Sequence, residues 1–148
     1  MLRLQDFMSV DVLTIDANTD ADAASEQMHS NRIHHLAVFD NGELVGIVSD
    51  RDLGGPKIGA STGKKVRDLM TSGIVSASPR STVREAANLL RGRAIGCLPV
   101  LDHGKLVGIV TVSDLLELLG KGEQRPIPNG ERLSWTRKPR GKRTPVVV

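Results

Sequence analysis

The sequence predicts an α/β (α+β) fold: two β-α-β-β-α repeats packed as a pseudo-twofold pair, followed by an irregular basic C-terminal tail. Three observations carry the prediction. Shifting the chain by 62 positions aligns it with itself without a gap, so that residues 44–48 and 106–110 are identical and Asp40-Asn41-Gly42 falls on Asp102-His103-Gly104. Asp6 and Met8 fall on Asp68 and Met70, and Asp52-Leu53 falls on Asp114-Leu115; self-similarity at a fixed period marks a duplicated supersecondary unit. Within each copy, short β-branched runs alternate with a stretch of helical apolar spacing. Beyond residue 120 that patterning stops and charge and proline take over.

Each repeat reads alike. A short extended segment comes first, near residues 12–15 and 74–77. A helix follows: Thr19 suits its N-cap in the first repeat, with Asp22 completing a capping-box pattern, and Ala21, Ala24 and Met28 form the apolar stripe. In the second repeat Ser81 suits the cap, and Val83, Ala86, Ala87 and Leu90 stand at i, i+3, i+4 and i+7. Two strands come next, the first of them about residues 35–39 and 97–101, joined through Asn41-Gly42 or His103-Gly104, which signal hairpin turns. A last helix spans 112–119 and stops at Gly120, whereas its counterpart is cut short by Gly54-Gly55-Pro56. The expected divisions are a first repeat with its linker at 1–62, a second repeat at 63–120, and the tail at 121–148. One such unit is small for an independent core, so the two should pack on each other.

Composition bounds the function. The chain has 148 residues, 39% hydrophobic and 25% charged, which suits a globular protein. Aromatics are few (Phe7, Phe39 and Trp135), so packing rests on aliphatic side chains. The longest apolar runs fall far short of a membrane span, and the N-terminus has no signal-peptide pattern. With one cysteine, Cys97, no intrachain disulfide forms, which fits a reducing, cytoplasmic setting. Residues 121–148 hold eight Lys or Arg against two Glu, a formal +6, so the overall +3 leaves −3 for the first 120 residues.

The repeated motif is Gly46-Ile47-Val48-Ser49-Asp50-Arg51-Asp52, and again Gly108-Ile109-Val110-Thr111-Val112-Ser113-Asp114. A buried strand runs into a hydroxyl, with a carboxylate three positions on. Taken singly, each is a reasonable helix start, because Ser-x-x-Asp and Thr-x-x-Asp resemble capping boxes. Two copies in register also fit a binding site.

With these residues the sequence resembles the CBS-domain family, tandem modules named after cystathionine β-synthase, over residues 4–119. The paired motif, Leu98-Pro99-Val100 before the hairpin, and the Ser/Thr-led helix with a central alanine carry the likeness. The resemblance implies a standalone, non-catalytic regulatory module. It implies binding of AMP, ADP, ATP, S-adenosylmethionine or another adenosyl ligand, assembly as a homodimer, and action on a separate effector protein. Carried over residue by residue, Asp52 and Asp114 resemble the carboxylates that accept from ribose hydroxyls, and an ionised carboxylate can take both hydroxyls of a cis-diol. Ser49 and Thr111 resemble the hydroxyls facing ribose or phosphate, at a helix N-terminus that favours anions. Adenine is expected near Leu13 or Val75. Phosphate is expected near His34, His35 and Arg51, whose counterparts Gly96, Cys97 and Ser113 carry no charge, so the two sites should be unequal. The first repeat departs from the family pattern with Ala37 opposite Pro99.

Plainer readings stand beside these. His34 and His35, adjacent on a strand, point to opposite faces, so both reach one phosphate only if the strand has not yet begun. They lack the Cys or carboxylate partners of a zinc site. Cys97 reads as a small strand residue with no activating base. Residues 59–65 lack the glycine of a phosphate loop, because Ile58 stands there, and Lys65 stands where Ser or Thr is needed, so they read as linker. The tail, with Trp135 among its arginines, reads either as a solvated segment or as a nucleic-acid or partner-docking element, with the repeats then a dimerisation scaffold. No paired acid and base, nucleophile triad or metal set argues for an enzyme. The dimer should bury the helix face of Val83, Ala86 and Leu90.

Overall fold

The computed structural model describes residues 2–55 and 62–121. Expectations for Pro56 and for the tail from 122 onward, Trp135 included, lie outside them. The chain runs through a 3-10 turn at Leu4–Asp6, then β1 (Thr14–Asp16), α1 (Ala21–Asn31), β2 (His35–Asp40) and β3 (Glu43–Ser49). The second half continues with α2 (Val66–Leu69), α3 (Val83–Gly92), β4 (Cys97–Asp102), β5 (Lys105–Thr111) and α4 (Val112–Gly120). The first sheet is ordered β1-β2-β3, with β1 parallel to β2 and β2 antiparallel to β3. The second is the β4-β5 hairpin in the same register, with the same bulge one residue after the middle of the leading strand. Both hairpins turn through two residues of positive φ, Asn41-Gly42 and His103-Gly104, as a two-residue loop matched to strand twist requires.

The expected first strand of the second repeat shrinks to one parallel bridge, Ala77 with Val100. The reason is Pro99. In the first repeat Ala37 N–H donates to the Leu13 carbonyl at 3.2 Å and extends the ladder. Pro99, at the equivalent place, has no N–H to give to Val75. The substitution leaves the path of the leading strand alone and costs its neighbour the pairing.

Two helix starts lie one residue later than expected. Thr82 caps α3, accepting from Glu85 N–H at 3.1 Å while the Glu85 carboxylate accepts from Thr82 N–H at 2.9 Å. Ser81 instead accepts from Ser78 N–H. For α1 the N-cap is Asp20, and its side chain makes no capping bond. It is drawn to Lys65 at 2.5 Å, while Ala21 N–H donates to the Lys64 carbonyl and Val66 N–H to that of Thr19. The stretch entering the second repeat thus supplies the partners a local cap would have supplied. After Ser49 the described residues 50–55 form turns rather than a helix, ending in Gly54 and Gly55 at positive φ.

The two cores exchange their entry segments. Leu4 is buried in the second core with Ala86, Leu90, Leu98 and Val110, and Val66 is buried in the first with Ala24, Met28, Leu36 and Val48. Every buried residue of the second core has its counterpart 62 positions away in the first, Leu4 and Val66 being the pair that crosses over. Backbone pairing repeats the exchange: Thr71 and Ile47 bond reciprocally on β3, and Ser9 and Ile109 on β5. This reciprocity is what two similar units related by an approximate twofold would make.

One expectation is overturned. Ala86 and Leu90 are buried in the second core and Val83 packs against it, so that face is not free for a dimer. The stripe left exposed is on α4, where Val112, Leu116 and Leu119 are 43%, 62% and 77% exposed. No helix among the described residues is long and apolar enough to cross a membrane.

Candidate functional site

Both copies of the motif fold into the same box. Ser49 N–H donates to Asp52 Oδ2 at 2.9 Å, and Asp52 N–H donates to Ser49 Oγ at 3.1 Å. Thr111 and Asp114 repeat these bonds at the same distances. In the second copy the box caps α4; in the first it caps only a turn. One carboxylate oxygen of each pair is therefore committed to the backbone, and among the described residues the other, Oδ1, is not. Burial pushes the Asp114 carboxyl above its ordinary value, and the bonds from Thr111 partly offset that.

A cavity of about 720 Å³ lies on the seam between the two halves. The first half lines it with His34, His35, Ile47 and the run from Ser49 to Asp52. The second half contributes Thr71, Ile74, Val75, the run from Arg93 to Cys97, Pro99 and Thr111 to Ser113. It thus brings together His34, His35, Ser49, Arg51, Asp52, Val75 and Thr111. It does not include Leu13, which packs against the first core, or Asp114.

His34 stands just before β2 and His35 opens it, so the alternation expected of two strand residues does not apply and both line the cavity. His34 is exposed and its Nδ1 lies 3.0 Å from Asp50 Oδ2, while Asp50 N–H donates to the His34 carbonyl. His35 opens β2 and is half-buried, with its Nδ1 enclosed and unbonded. Burial lowers its pKa; the charges of Asp50 and Asp52 work against this and those of His34 and Arg51 with it. Its ring lies across the seam against Gly96, where an added Cβ would sit 3.4 Å from Nε2. Cys97 is buried, and burial drives its thiol far above the ordinary value, which disfavours the thiolate at neutral pH. Among the described residues no cluster of His, Cys, Asp and Glu is placed to hold a metal.

Sequence reasoning passed over Asp50, Ile74 and Arg93. Asp50 and Arg93 belong to no shared pattern, because the 62-residue shift sets Val112 and Asn31 opposite them. Arg93 reaches the cavity from the end of α3, a place visible only once the halves are packed.

A duplicated unit of a helix and a two-stranded hairpin, with a cleft on the seam between its copies, defines a paired-repeat module. The chain belongs to the CBS domain family, whose model matches residues 4–53 and 66–121. It is 38% identical to a CBS domain-containing protein of Dictyostelium discoideum, over 84% of this chain and 95% of that one. The CBS domain pair of protein MJ0100, solved in complex with 5′-methylthioadenosine and S-adenosylmethionine, superposes with a TM-score of 0.75 at 27% identity, covering 83% of this chain and 99% of that one. CBSX2 in complex with AMP superposes at 0.69 with 31% identity, covering 80% and 96%. Enzymes are also matched, homoserine O-acetyltransferase and inosine-5′-monophosphate dehydrogenase among them, but the match spans only 24% and 21% of their length.

Proposed function

We propose that this chain is a non-catalytic regulatory module that binds adenine nucleotides or another adenosyl ligand in the clefts between its repeats and signals to a separate effector. The observation that carries the reading is Asp52: it lines the seam cavity with one oxygen fixed by Ser49 N–H and the other uncommitted. A carboxylate so held is oriented to accept from a ribose diol without further ordering. Val75 and Ile74 supply apolar wall for adenine, and Ser49, His34, His35 and Arg51 supply donors for the 5′ group beyond the ribose. Asp114 and Leu13, which lie outside this cavity, are assigned the corresponding roles in a second, unequal cleft, while Thr111 lines the seam cavity with Ser49. The solved relatives that carry AMP, or S-adenosylmethionine with 5′-methylthioadenosine, support the ligand class.

The ligand acts by its difference in affinity for two arrangements of the module. The α4 stripe of Val112, Leu116 and Leu119 is the proposed homodimer face. Heating the purified protein and identifying the released small molecule by mass spectrometry tests the reading. An adenosyl compound in stoichiometric amount supports it, and failure both to release one and to bind any added adenosyl ligand overturns it.

A further inference from the structure

The seam between the halves is closed in the middle and open at both ends. Ala37, Pro99 and Ile109 belong to neither core yet are all but fully buried, on the hairpin faces turned away from the cores. At one end, where β2 and β4 begin, lies the cavity already described. At the other, beside Gly42 and Gly104 of the hairpin turns, lies a second cavity of about 760 Å³.

Both hairpins line this second cavity with equivalent positions. Phe39 and Leu44 of the first half answer to Leu101 and Leu106 of the second, and all four are half-buried and outside both cores. Apolar side chains that meet in a concave space while partly open to water are what an apolar ligand body would cover. One equivalent pair breaks the symmetry: Glu43 has Lys105 as its counterpart 62 positions on, and both line the cavity. A faithful duplication would set two like charges around one space. The change of sign sets a carboxylate and an ammonium there instead. Neither side chain makes a hydrogen bond or ion pair among the described residues. The candidate partners are engaged elsewhere: Asp102, across the ladder from Lys105, with Arg80 at 3.4 Å, and Arg67, which reaches the first turn, with Asp40 at 3.0 Å.

We propose that the cavity between the hairpin turns is a second ligand site, and that it takes a small zwitterion with an apolar body, the chemistry of a free apolar amino acid. Glu43 accepts from the ligand's ammonium, Lys105 donates to its carboxylate, and the four apolar residues cover its side chain. Each charge alone is exposed, where a single ion pair contributes little. A ligand carrying both charges and seated on an apolar wall engages the two together. The volume lies within the roughly 300 to 1,000 Å³ of small-molecule sites. Glu43 and Lys105 do not line the seam cavity, so this site does not rest on the adenosyl reading.

The test is calorimetry on the full chain with L-leucine, beside 4-methylpentanoate, which lacks the ammonium, and isopentylamine, which lacks the carboxylate. The parent binds leucine saturably, and each analogue binds roughly 10-fold or more weakly, the scale of a charged hydrogen bond. Glu43→Gln and Lys105→Gln each weaken leucine by a similar factor and leave AMP titrations within about twofold of the parent. The double exchange Glu43→Lys with Lys105→Glu recovers leucine binding, because the approximate twofold lets the ligand sit turned end for end. Both positions are exposed, so the melting curves, run alongside, stay in place. A parent that binds no leucine, or binds all three compounds equally, overturns the proposal and leaves the adenosyl reading untouched. A double exchange no better than the single changes overturns it too. So does a parent that binds no leucine and whose copies separate in sedimentation on Lys105→Gln, which would make the cavity a contact between chains.

Discussion

Met8 lies over Gly108 so closely that a Cβ there would stand 2.5 Å from the Met8 sulfur and 3.1 Å from the Ser9 carbonyl oxygen. Met70 lies over Gly46 in the same way, at 2.7 Å, with the Thr71 carbonyl oxygen at 2.9 Å. These two glycines are where each sheet accepts the entry segment of the other half. A methyl group at Gly46 must displace backbone as well as the flexible sulfur, so Gly46→Ala should destabilise the fold by about 1 to 3 kcal/mol, the cost of overpacking. Urea unfolding measures it; a change below about 0.5 kcal/mol, as at an unconstrained surface position, would show that the exchanged segments are only loosely held.

The repeated box predicts unequal costs for equal-looking changes. Thr111 is 1% exposed and caps the nine-residue α4, so Thr111→Ala should cost about 0.5 to 2 kcal/mol. Ser49 caps only a turn, and Ser49→Ala should cost less. Thermal melts of both variants check the order, and a larger loss at Ser49 would mean that its box carries structure beyond the turn.

Most of the fold is legible because the sequence states it twice. Strand, helix and hairpin positions come from apolar spacing and from Asn41-Gly42 and His103-Gly104, and the structure keeps their order. The exchange of Leu4 and Val66 is not legible: alignment shows that they are equivalent, but not which core each enters. The caps shift by one because Thr19-Asp20 and Ser81-Thr82 each offer two capping residues, and contacts from Lys65 decide the first. The face of Val83, Ala86 and Leu90 passes for a dimer surface in the sequence because periodicity identifies an apolar stripe without saying what covers it. At the cleft, the motif residues Ser49 and Asp52 announce themselves by repetition. Arg93 does not, because it reaches the cavity wall only once the two halves are packed.

His35 gives the cleft a pH signature in stability. Burial holds its pKa below the ordinary 6.5, so the folded protein binds a proton there less readily than the unfolded chain. Stability is therefore at its full value above pH 6.5 and is lost as pH falls from there to the lowered folded value. Below that value the loss is complete. Substituting His35→Gln should flatten the urea midpoint across that window relative to the parent. An unchanged slope would place the titration on other groups.

The most direct test of the ribose role is Asp52→Ala, titrated with AMP by calorimetry beside the parent and Asp114→Ala, with a melting curve for each. Loss of a charged hydrogen bond corresponds to about 1.5 to 3 kcal/mol, roughly a 10- to 150-fold weakening. Asp52→Ala should show that loss together with a stability change of only about 1 kcal/mol, the scale of a lost cap. Asp114→Ala should weaken AMP less, since Asp52 lines the seam cavity and Asp114 does not. AMP affinity equal to the parent in Asp52→Ala, with the melting temperature alone reduced, would contradict the account and leave the carboxylate as a turn cap.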